Sequence, residues 1–347
     1  MSIDFAYSCP ERVIGEKSSL EAALAKFNSQ PIDDVRLSDC ASPYGDVRRT
    51  LKRSASVAGV GTFRGKTKQT ITFAPSERAG WWIRRTDQPE QLDTLVHVAN
   101  LWTSARNLVL RSGSPHNYLR MVEHIIALKL GLGVDSLVLE TNSGDPPLFK
   151  ASSLPLVKAI DHAEMVDTDE KATYCFVKEP VGFAGTRGDF LIFLPPKEGE
   201  RKLRLDVAIN WNTCIGTQRI VYDVTPQTFR YGVLARTNAT HRQYILAKTV
   251  GKLFADTRNL GYDLGNILIH GRRYYGEPRY LQESSGKYLE PVWHRANLDL
   301  LAALCLTGAD RFIGTVVSYR SGHTQDCDAV RHLYRHGLMA RAEGGAQ

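Results

Sequence analysis

The stretch Met121-Val122-Glu123-His124 opens an apolar segment that closes at Leu130-Gly131-Leu132-Gly133-Val134-Asp135, and the rest of the chain is interpreted around it. Between these ends, apolar residues occupy most positions, which predicts a buried helix. Glu123 and His124 are therefore polar residues in a place where apolar side chains are usual. Their placement requires a structural or chemical reason.

Two interpretations of the Glu123 and His124 pair remain open at this point. An adjacent carboxylate and imidazole can act as a general base and a metal ligand, as in sites where a bound metal activates water. Alternatively, Glu123 lies near the positive end of a helix dipole and His124 is a hydrogen-bonded core histidine. The second interpretation is the commoner one for so short a motif.

Length and composition indicate a globular protein with room for two domains. The chain has 347 residues, of which 43% are hydrophobic and 23% charged. The formal net charge is +7, but the basic residues are spread along the chain rather than gathered in one block. We therefore expect no nucleic-acid partner.

Targeting and cysteine signals both favour a cytoplasmic protein. No apolar run reaches the ~20 residues that a membrane span needs, and Met1 to Asp4 lacks the layout of a signal peptide. The six cysteines are widely separated, without the spacing of a zinc knuckle or a redox motif. We expect reduced thiols, no membrane span and a monomer.

Strand and helix patterns divide the chain into two similar halves. Each half is predicted as a mostly antiparallel sheet with helices on one face, which is an α+β class. The predicted elements include a strand from Ser136 to Glu140 and helices from Leu154 to Ala163 and from Gln243 to Asp256. The polar stretch Asp167 to Lys171 marks the boundary between them. The expected units are an N-terminal extension (1–48, with a short helix from Ser18 to Phe27), a first α+β domain (49–166), a second α+β domain (172–340) and a frayed tail (341–347). A duplicated unit of this kind predicts a ligand cleft between the halves.

Short motifs also recur along the chain in a definite order. They are Gly59-Val60-Gly61 with Gly65, Arg85-Thr86-Asp87, Val122-Glu123-His124 with Gly131 to Asp135, Ala235-Arg236-Thr237, His294 with Asp299 and the Leu300 to Gly308 helix, and Phe312-Ile313-Gly314 with Ser321-Gly322-His323. In this order they resemble one family, the zinc-dependent UDP-3-O-acyl-N-acetylglucosamine deacetylases of lipid A biosynthesis. The resemblance covers about residues 50 to 338.

The resemblance implies a fold of two α+β domains with their helices sandwiched between the two sheets, and a catalytic metal site. The cofactor it implies is Zn²⁺, held by His124, His294 and Asp299 with a fourth position open for water. Glu123 is implied as the general base for that water.

Two further catalytic roles follow from the same resemblance. Thr237 is implied to bind the developing oxyanion, and His323 to protonate the departing amine or stabilise the charged intermediate. The implied reaction is hydrolysis of the N-acetyl group of an amino sugar, with release of acetate. Without the resemblance, each of these residues has a structural interpretation as well. Thr237 could cap a turn, His323 could be a loop histidine, and His294 could be a core histidine beside Trp293.

The spacing of the second histidine and the aspartate departs from the family pattern. The family separates these residues by four positions, whereas His294 and Asp299 are five apart. At ~100° per residue, five steps leave the two side chains roughly 140° apart on a regular α-helix. A π-bulge near Ala296-Asn297 would restore convergence. Alternatively, the helix begins after His294, Asn297 substitutes weakly as a ligand, or the metal site is lost.

Further departures fall in the substrate region. Phe63 replaces a family histidine, Lys150-Ala151-Ser152 replaces an Asp-Gly-Ser turn, and Asn238 replaces a phenylalanine. His241 to Lys252 is more polar than the family's acyl-chain passage, although burial of a hydrocarbon chain is worth ~0.8 kcal/mol per CH₂. Arg295 stands where the family has lysine, a cationic position suited to a nucleotide diphosphate. We predict Phe63, Lys150 and Arg295 as substrate-binding residues.

Three functions therefore stay open. The first is a deacetylase acting on UDP-3-O-acyl-N-acetylglucosamine, and the second is a paralogue acting on a different N-acetyl compound. The third is a non-catalytic descendant that binds a ligand. The His294 to Asp299 spacing favours the third, whereas Glu123, His124, Thr237 and His323 together argue against it.

Overall fold

The computed structural model describes residues 5–63, 67–250, 263–282 and 285–344, and the protein is of the α+β class. The elements of its N-terminal half are β1 (Arg12–Ile14), α1 (Lys17–Asn28), β2 (Asp34–Arg36), β3 (Val47–Leu51), β4 (Ala55–Val60), β5 (Lys68–Ala74), β6 (Gly80–Arg85), β7 (Asp93–Leu95), a 3-10 helix (Val98–Asn100), β8 (Leu101–Thr103), β9 (Val109–Arg111), β10 (Tyr118–Arg120), α2 (Glu123–Leu132), β11 (Ser136–Thr141) and α3 (Leu154–Ala163). Those of its C-terminal half are β12 (Met165–Lys171), β13 (Thr173–Val177), β14 (Val181–Ala184), β15 (Phe190–Leu194), β16 (Leu203–Trp211), β17 (Gly216–Asp223), α4 (Pro226–Gly232), β18 (Asn238–Thr240), α5 (His241–Lys248), β19 (Leu268–His270), β20 (Leu281–Gln282), β21 (Lys287–Tyr288), α6 (Glu290–His294), a π-turn (Arg295–Leu300), α7 (Leu301–Cys305), β22 (Arg311–Phe312), β23 (Gly314–Tyr319), α8 (His323–Arg335) and β24 (Met339–Glu343).

Two main sheets enclose the central helices, as the family resemblance implied. A five-stranded sheet has the order β4-β5-β11-β6-β7, and a seven-stranded sheet has the order β1-β14-β15-β23-β16-β17-β2. Helix α3 packs against β4 and β5 of the first sheet, while α6 and the π-turn pack against β16 of the second. Helix α2 contacts both α7 and the π-turn, so one apolar core runs through both halves. No helix in the described parts of the chain has the length and apolar character to cross a membrane.

The N-terminal extension is built into the second sheet. Strand β1 pairs in parallel with β14 at one edge, and β2 pairs in parallel with β17 at the other. Helix α1 covers the outer face, where the Phe27 ring meets the rings of Phe190 and Tyr319 edge-on. The first sheet is mostly antiparallel, as predicted. The second is mixed, because the extension adds parallel strands at both edges and β16 pairs in parallel with β23 inside the sheet.

Two segments differ from the sequence prediction. The polar stretch expected at the domain boundary belongs to β12, which pairs with β3, although the division into domains itself remains a prediction. Arg341 to Glu343, expected in a frayed tail, belong to β24 and pair with β13. In both cases a backbone partner distant in sequence compensates for weak apolar patterning.

Two other predicted features extend beyond what the structure describes. The helix predicted from Gln243 to Asp256 is present as α5, but residues 251–262 lie outside the described residues. Gly65, part of the first family motif, also lies outside them.

Candidate active site

Glu123 is the first residue of α2, and it is nearly fully buried, with 2% of its surface exposed. The chain enters the helix through Met121 in the left-handed region (φ 50°). The Leu108 backbone N–H donates to Glu123 Oε2 at 2.9 Å, which fixes the carboxylate. Burial raises the pKa of Glu123, while the charge of His323 opposes that rise. A carboxylate with a raised pKa is a stronger proton acceptor than an exposed one.

His124 follows on the same helical turn and is held in its neutral form. Burial, reinforced by the nearby His294, lowers its pKa to about 3. The Ser153 hydroxyl donates to the His124 backbone carbonyl at 2.7 Å, which ties α2 to the start of α3. Neutral imidazole is the form that binds a metal ion.

A π-turn brings His294 and Asp299 together. His294 ends α6, and Arg295–Leu300 continues as a π-turn, in which residues five apart lie above one another. As a result, His294 Nδ1 lies 3.5 Å from Asp299 Oδ2. The π-bulge alternative is confirmed, and the alternative in which the helix begins after His294 is wrong. Asn297 is not aimed at the site, since its side chain donates to the Phe229 carbonyl at 3.1 Å.

The two halves of the chain meet at this cluster. The His124 and His294 ring centroids are 5.3 Å apart, and His323 Nε2 lies 3.7 Å from Asp299 Oδ1. Burial alone would raise the pKa of Asp299, but His294 and His323 outweigh it, so this pKa is lowered. Burial likewise opposes protonation of His323, yet Asp299 and Glu123 outweigh it, and the pKa of His323 is raised. His323 is therefore poised to hold a proton beside the cluster.

The residues of this cluster fit a metal ion. Three of its buried polar atoms have no hydrogen-bond partner among the described residues: His294 Nε2, Asp299 Oδ1 and His323 Nδ1. Two imidazoles and one carboxylate are a donor set that catalytic zinc takes. No group of three His, Cys, Asp or Glu side chains within the described ranges already has a metal-holding arrangement. The candidate ligands are therefore neighbours without a preformed metal-holding arrangement.

Thr237 follows Arg236, which links this segment of the chain to α6. Arg236 forms a buried ion pair with Glu290, the first residue of α6, at 2.7 Å. The Thr237 backbone carbonyl accepts from Leu268 N–H at 2.9 Å. None of the contacts described for the chain joins the Thr237 hydroxyl to the cluster, so its catalytic role remains a prediction.

Arg295 differs from its expected presentation as a substrate-binding cation. It is only 6% exposed, and its guanidinium donates to the Asp326 carboxylate at 2.6 Å and to the Ser321 carbonyl at 2.9 Å. These partners lie at the entrance to α8, just before and after His323. The geometry gives Arg295 an internal role in holding the His323 turn, and a direct contact with a diphosphate remains a prediction.

Lys150 and Phe63, the other predicted substrate residues, lie outside the cluster. The Lys150 side chain is exposed, and its backbone carbonyl accepts from Arg279 at 2.5 Å. Phe63 is partly buried, with the Arg120 guanidinium 4.9 Å from the centre of its ring. None of the contacts found among the described residues joins Lys150 or Phe63 to this cluster.

A cleft leads away from His323; a ligand cleft was predicted from the sequence, but none of its lining residues other than His323 was. It has a volume of about 830 Å³, and its lining includes Trp211, three arginines (Arg106, Arg187 and Arg320) and two aspartates (Asp189 and Asp328). Arg320 directly precedes the Ser321-Gly322-His323 motif, so its position offered a signal, whereas Arg106 and Arg187 belong to no motif. Ile14 and Gly15 of the N-terminal extension also line this cleft.

Comparison with known proteins gives a consistent result. The family model for UDP-3-O-acyl N-acetylglycosamine deacetylase matches residues 48–335. Proteins named UDP-3-O-acyl-N-acetylglucosamine deacetylase from Brucella ovis, Brucella abortus and Brucella melitensis are each 27% identical to this chain over 290 residues. These matches cover 82% of this chain and 94% of each relative. Strand β1, helix α1 and strand β2 therefore precede the range that the family model matches.

Proposed function

Because the chain belongs to the UDP-3-O-acyl N-acetylglycosamine deacetylase family, we propose that it is a zinc-dependent amidohydrolase. It removes the N-acetyl group of an acetylated amino sugar and releases acetate, with UDP-3-O-acyl-N-acetylglucosamine as the leading substrate. The observation that supports this most strongly is the π-turn, which sets His294 and Asp299 side by side at 3.5 Å. It removes the spacing objection that favoured a non-catalytic descendant.

In this proposal His124, His294 and Asp299 hold Zn²⁺. His124 is neutral, and Asp299 is ionised because its pKa is lowered, so both are in the forms that bind a metal. When bound, zinc supplies a Lewis acid that acidifies a water molecule and polarises the amide carbonyl.

Glu123 takes the proton from the attacking water. Its raised pKa strengthens it as a base, and the hydrogen bond from Leu108 keeps the carboxylate in one orientation. His323 gives a proton to the departing amine, because its raised pKa lets it keep that proton to higher pH than an ordinary histidine. Thr237 supplies a hydroxyl to the developing oxyanion.

The arginine-lined cleft beside His323 is the candidate site for the nucleotide part of the substrate. Its three arginines suit a diphosphate, and Trp211 offers an aromatic face for a base. The acyl part is less well supported, because α5 begins with the polar residues His241, Arg242 and Gln243, which would interrupt an apolar lining for a hydrocarbon chain. This polarity favours the second candidate function, deacetylation of a less lipidic N-acetyl compound.

Compartment and assembly belong to the same proposal. All six cysteines are free thiols, and three of them are buried, which favours a reducing compartment. We propose that the protein acts in the cytoplasm as a monomer on a small-molecule substrate, without a nucleic-acid partner.

Metal content and turnover test the proposal together. We expect about one zinc per chain in the purified protein and much less in His124→Ala. His162→Ala, a change at an exposed histidine of α3, should keep the metal. Acetate release should be measured with UDP-3-O-acyl-N-acetylglucosamine and with UDP-N-acetylglucosamine. Absence of zinc and of acetate release in the wild-type protein would identify a ligand-binding protein without catalysis.

A further inference from the structure

A second open cavity lies on the other side of Trp211 from the cleft. It is a groove of about 980 Å³ between the hairpin that joins β16 to β17 and the ends of β18 and β19. Its lining includes His241, Arg242, His270 and Arg272, and it contains none of the residues assigned above to catalysis or metal binding.

The charged residues in the described lining of this groove are all basic. No Asp or Glu belongs to its described lining, while Arg242 and Arg272 are both exposed. Within the described parts of the chain, neither guanidinium forms an ion pair, in contrast to arginines such as Arg204, which donates to Asp223 at 2.7 Å. Unpaired arginines without a nearby carboxylate attract oxyanions and bind them by two parallel hydrogen bonds.

His270 supplies a buried polar atom without a partner. It is only 1% exposed, and its Nδ1 has no hydrogen-bond partner among the described residues. Such an atom costs free energy unless a ligand or water satisfies it. Burial lowers the pKa of His270 to about 4, so the ring is neutral and can donate one N–H.

The groove has rigid walls. The His270 ring packs against Trp211 with centroids 5.1 Å apart, and the His241 ring stacks on Tyr275 at 3.9 Å. Thr240 caps α5, and Thr240, His241 and Arg242 at the start of this helix line the groove, where the helix dipole favours negative charge. The His270 and His241 rings are therefore held in place before any ligand binds.

We propose that this groove is a second anion-binding site, which takes a phosphate or pyrophosphate group through Arg242, Arg272 and His270. Because Trp211 lines the cleft and also contacts His270, the groove adjoins the cleft without being part of it. The oxyanion comes either from the nucleotide-linked substrate or from a separate phosphate-bearing molecule. The site itself does not depend on the deacetylase activity.

Calorimetric titration with inorganic pyrophosphate tests the site. We compare the wild-type protein, the double variant Arg242→Gln/Arg272→Gln and the control Arg335→Gln, an exposed arginine of α8 outside the groove. Loss of two charge-assisted contacts should weaken pyrophosphate binding by about tenfold or more. The control should bind as the wild type does. Equal affinity in the double variant and the wild type, or equal loss in the control, would overturn the proposal.

A second variant and a second ligand complete the test. His270→Phe keeps the aromatic packing on Trp211 but removes Nδ1, and it should weaken pyrophosphate binding while the melting temperature stays near that of the wild type. An unchanged affinity would remove His270 from the site. Repeating the titrations in saturating UDP separates the two sources. Binding that persists in UDP and is lost in the double variant indicates a separate ligand, whereas competition by UDP, with UDP itself bound more weakly by the double variant, indicates the substrate's own phosphates.

Discussion

The π-turn predicts that one residue can be deleted from this helix without loss of the metal site. In a regular α-helix five residues turn through ~500°, which leaves the side chain ~140° from its start, whereas four residues turn through ~400° and leave it ~40° away. Deletion of Ala296 shortens the step from His294 to the aspartate to four residues. We therefore expect the turn to become α-helical and both ligands to remain on one face.

The cost of this deletion can be estimated from the contacts that it removes. Ala296 is fully buried, so its methyl group contributes about 1 kcal/mol. Asn297 also shifts, and its hydrogen bonds to the Phe229 carbonyl (3.1 Å) and the Tyr222 hydroxyl (3.3 Å) contribute about 1 kcal/mol each. We expect the free energy of unfolding to fall by about 1–3 kcal/mol, as measured by urea denaturation, with zinc retained at about one per chain.

Deletion of Ala302 is the matched control. It removes the same residue type from α7, where the backbone is already α-helical and cannot absorb the loss. The following buried turn would rotate by ~100°, so we expect a far larger destabilisation than for Ala296. A folded Ala296 deletion variant that has lost its zinc, or equal destabilisation by the two deletions, would refute this account of how the ligands converge.

Three further changes test the catalytic residues and the packing behind them. Glu123→Gln should keep the fold and the zinc but lower kcat by roughly 10²- to 10⁴-fold; zinc analysis and acetate release measure this, and unchanged turnover would exclude Glu123 as the base. Because the pKa of His323 is raised, its proton persists to higher pH than that of an ordinary histidine and is lost as pH rises through that pKa, so wild-type kcat should fall on the alkaline side. His323→Gln should lower kcat and abolish that alkaline decline, and an unaltered pH profile would contradict the proton-donor role. Glu290→Gln should reduce the free energy of unfolding by about 3–5 kcal/mol, because it leaves the Arg236 charge buried and unpaired. As a control, Arg12→Gln removes one partner of an exposed ion pair and should reduce it by less than about 1 kcal/mol. Similar urea midpoints for these two variants would contradict this prediction.

Most of the central elements could be predicted from the sequence because their signals are local. The helix from Leu154 to Ala163 and the strand beginning at Ser136 have the predicted bounds or nearly so, since apolar periodicity sets them. The short strands of the extension could not be predicted in the same way. Strand β1 spans three residues, and its partner β14 lies far along the chain, so pairing rather than propensity creates it.

The candidate site was likewise predictable from the sequence only in part. Glu123 and His124 are adjacent, and their polar pair at the start of an apolar helix is visible without any structure. The order of the motifs also indicated His294, Asp299 and His323. The burial of Arg295 was not predictable, because its partners Ser321 and Asp326 follow after more than 20 residues and meet it only once α8 packs against the π-turn.

The sequence alone therefore determined the fold class, the family resemblance and the identity of the candidate catalytic residues, since these depend on residue type and order. Tertiary structure decided whether His294 and Asp299 converge, because a five-residue step permits convergence only if the helix adopts a π-turn. It also decided that the extension belongs to the second sheet, and that Trp211 lines one cavity and packs against His270 of another. Each of these depends on contacts between segments distant in the chain, whose geometry no local pattern specifies.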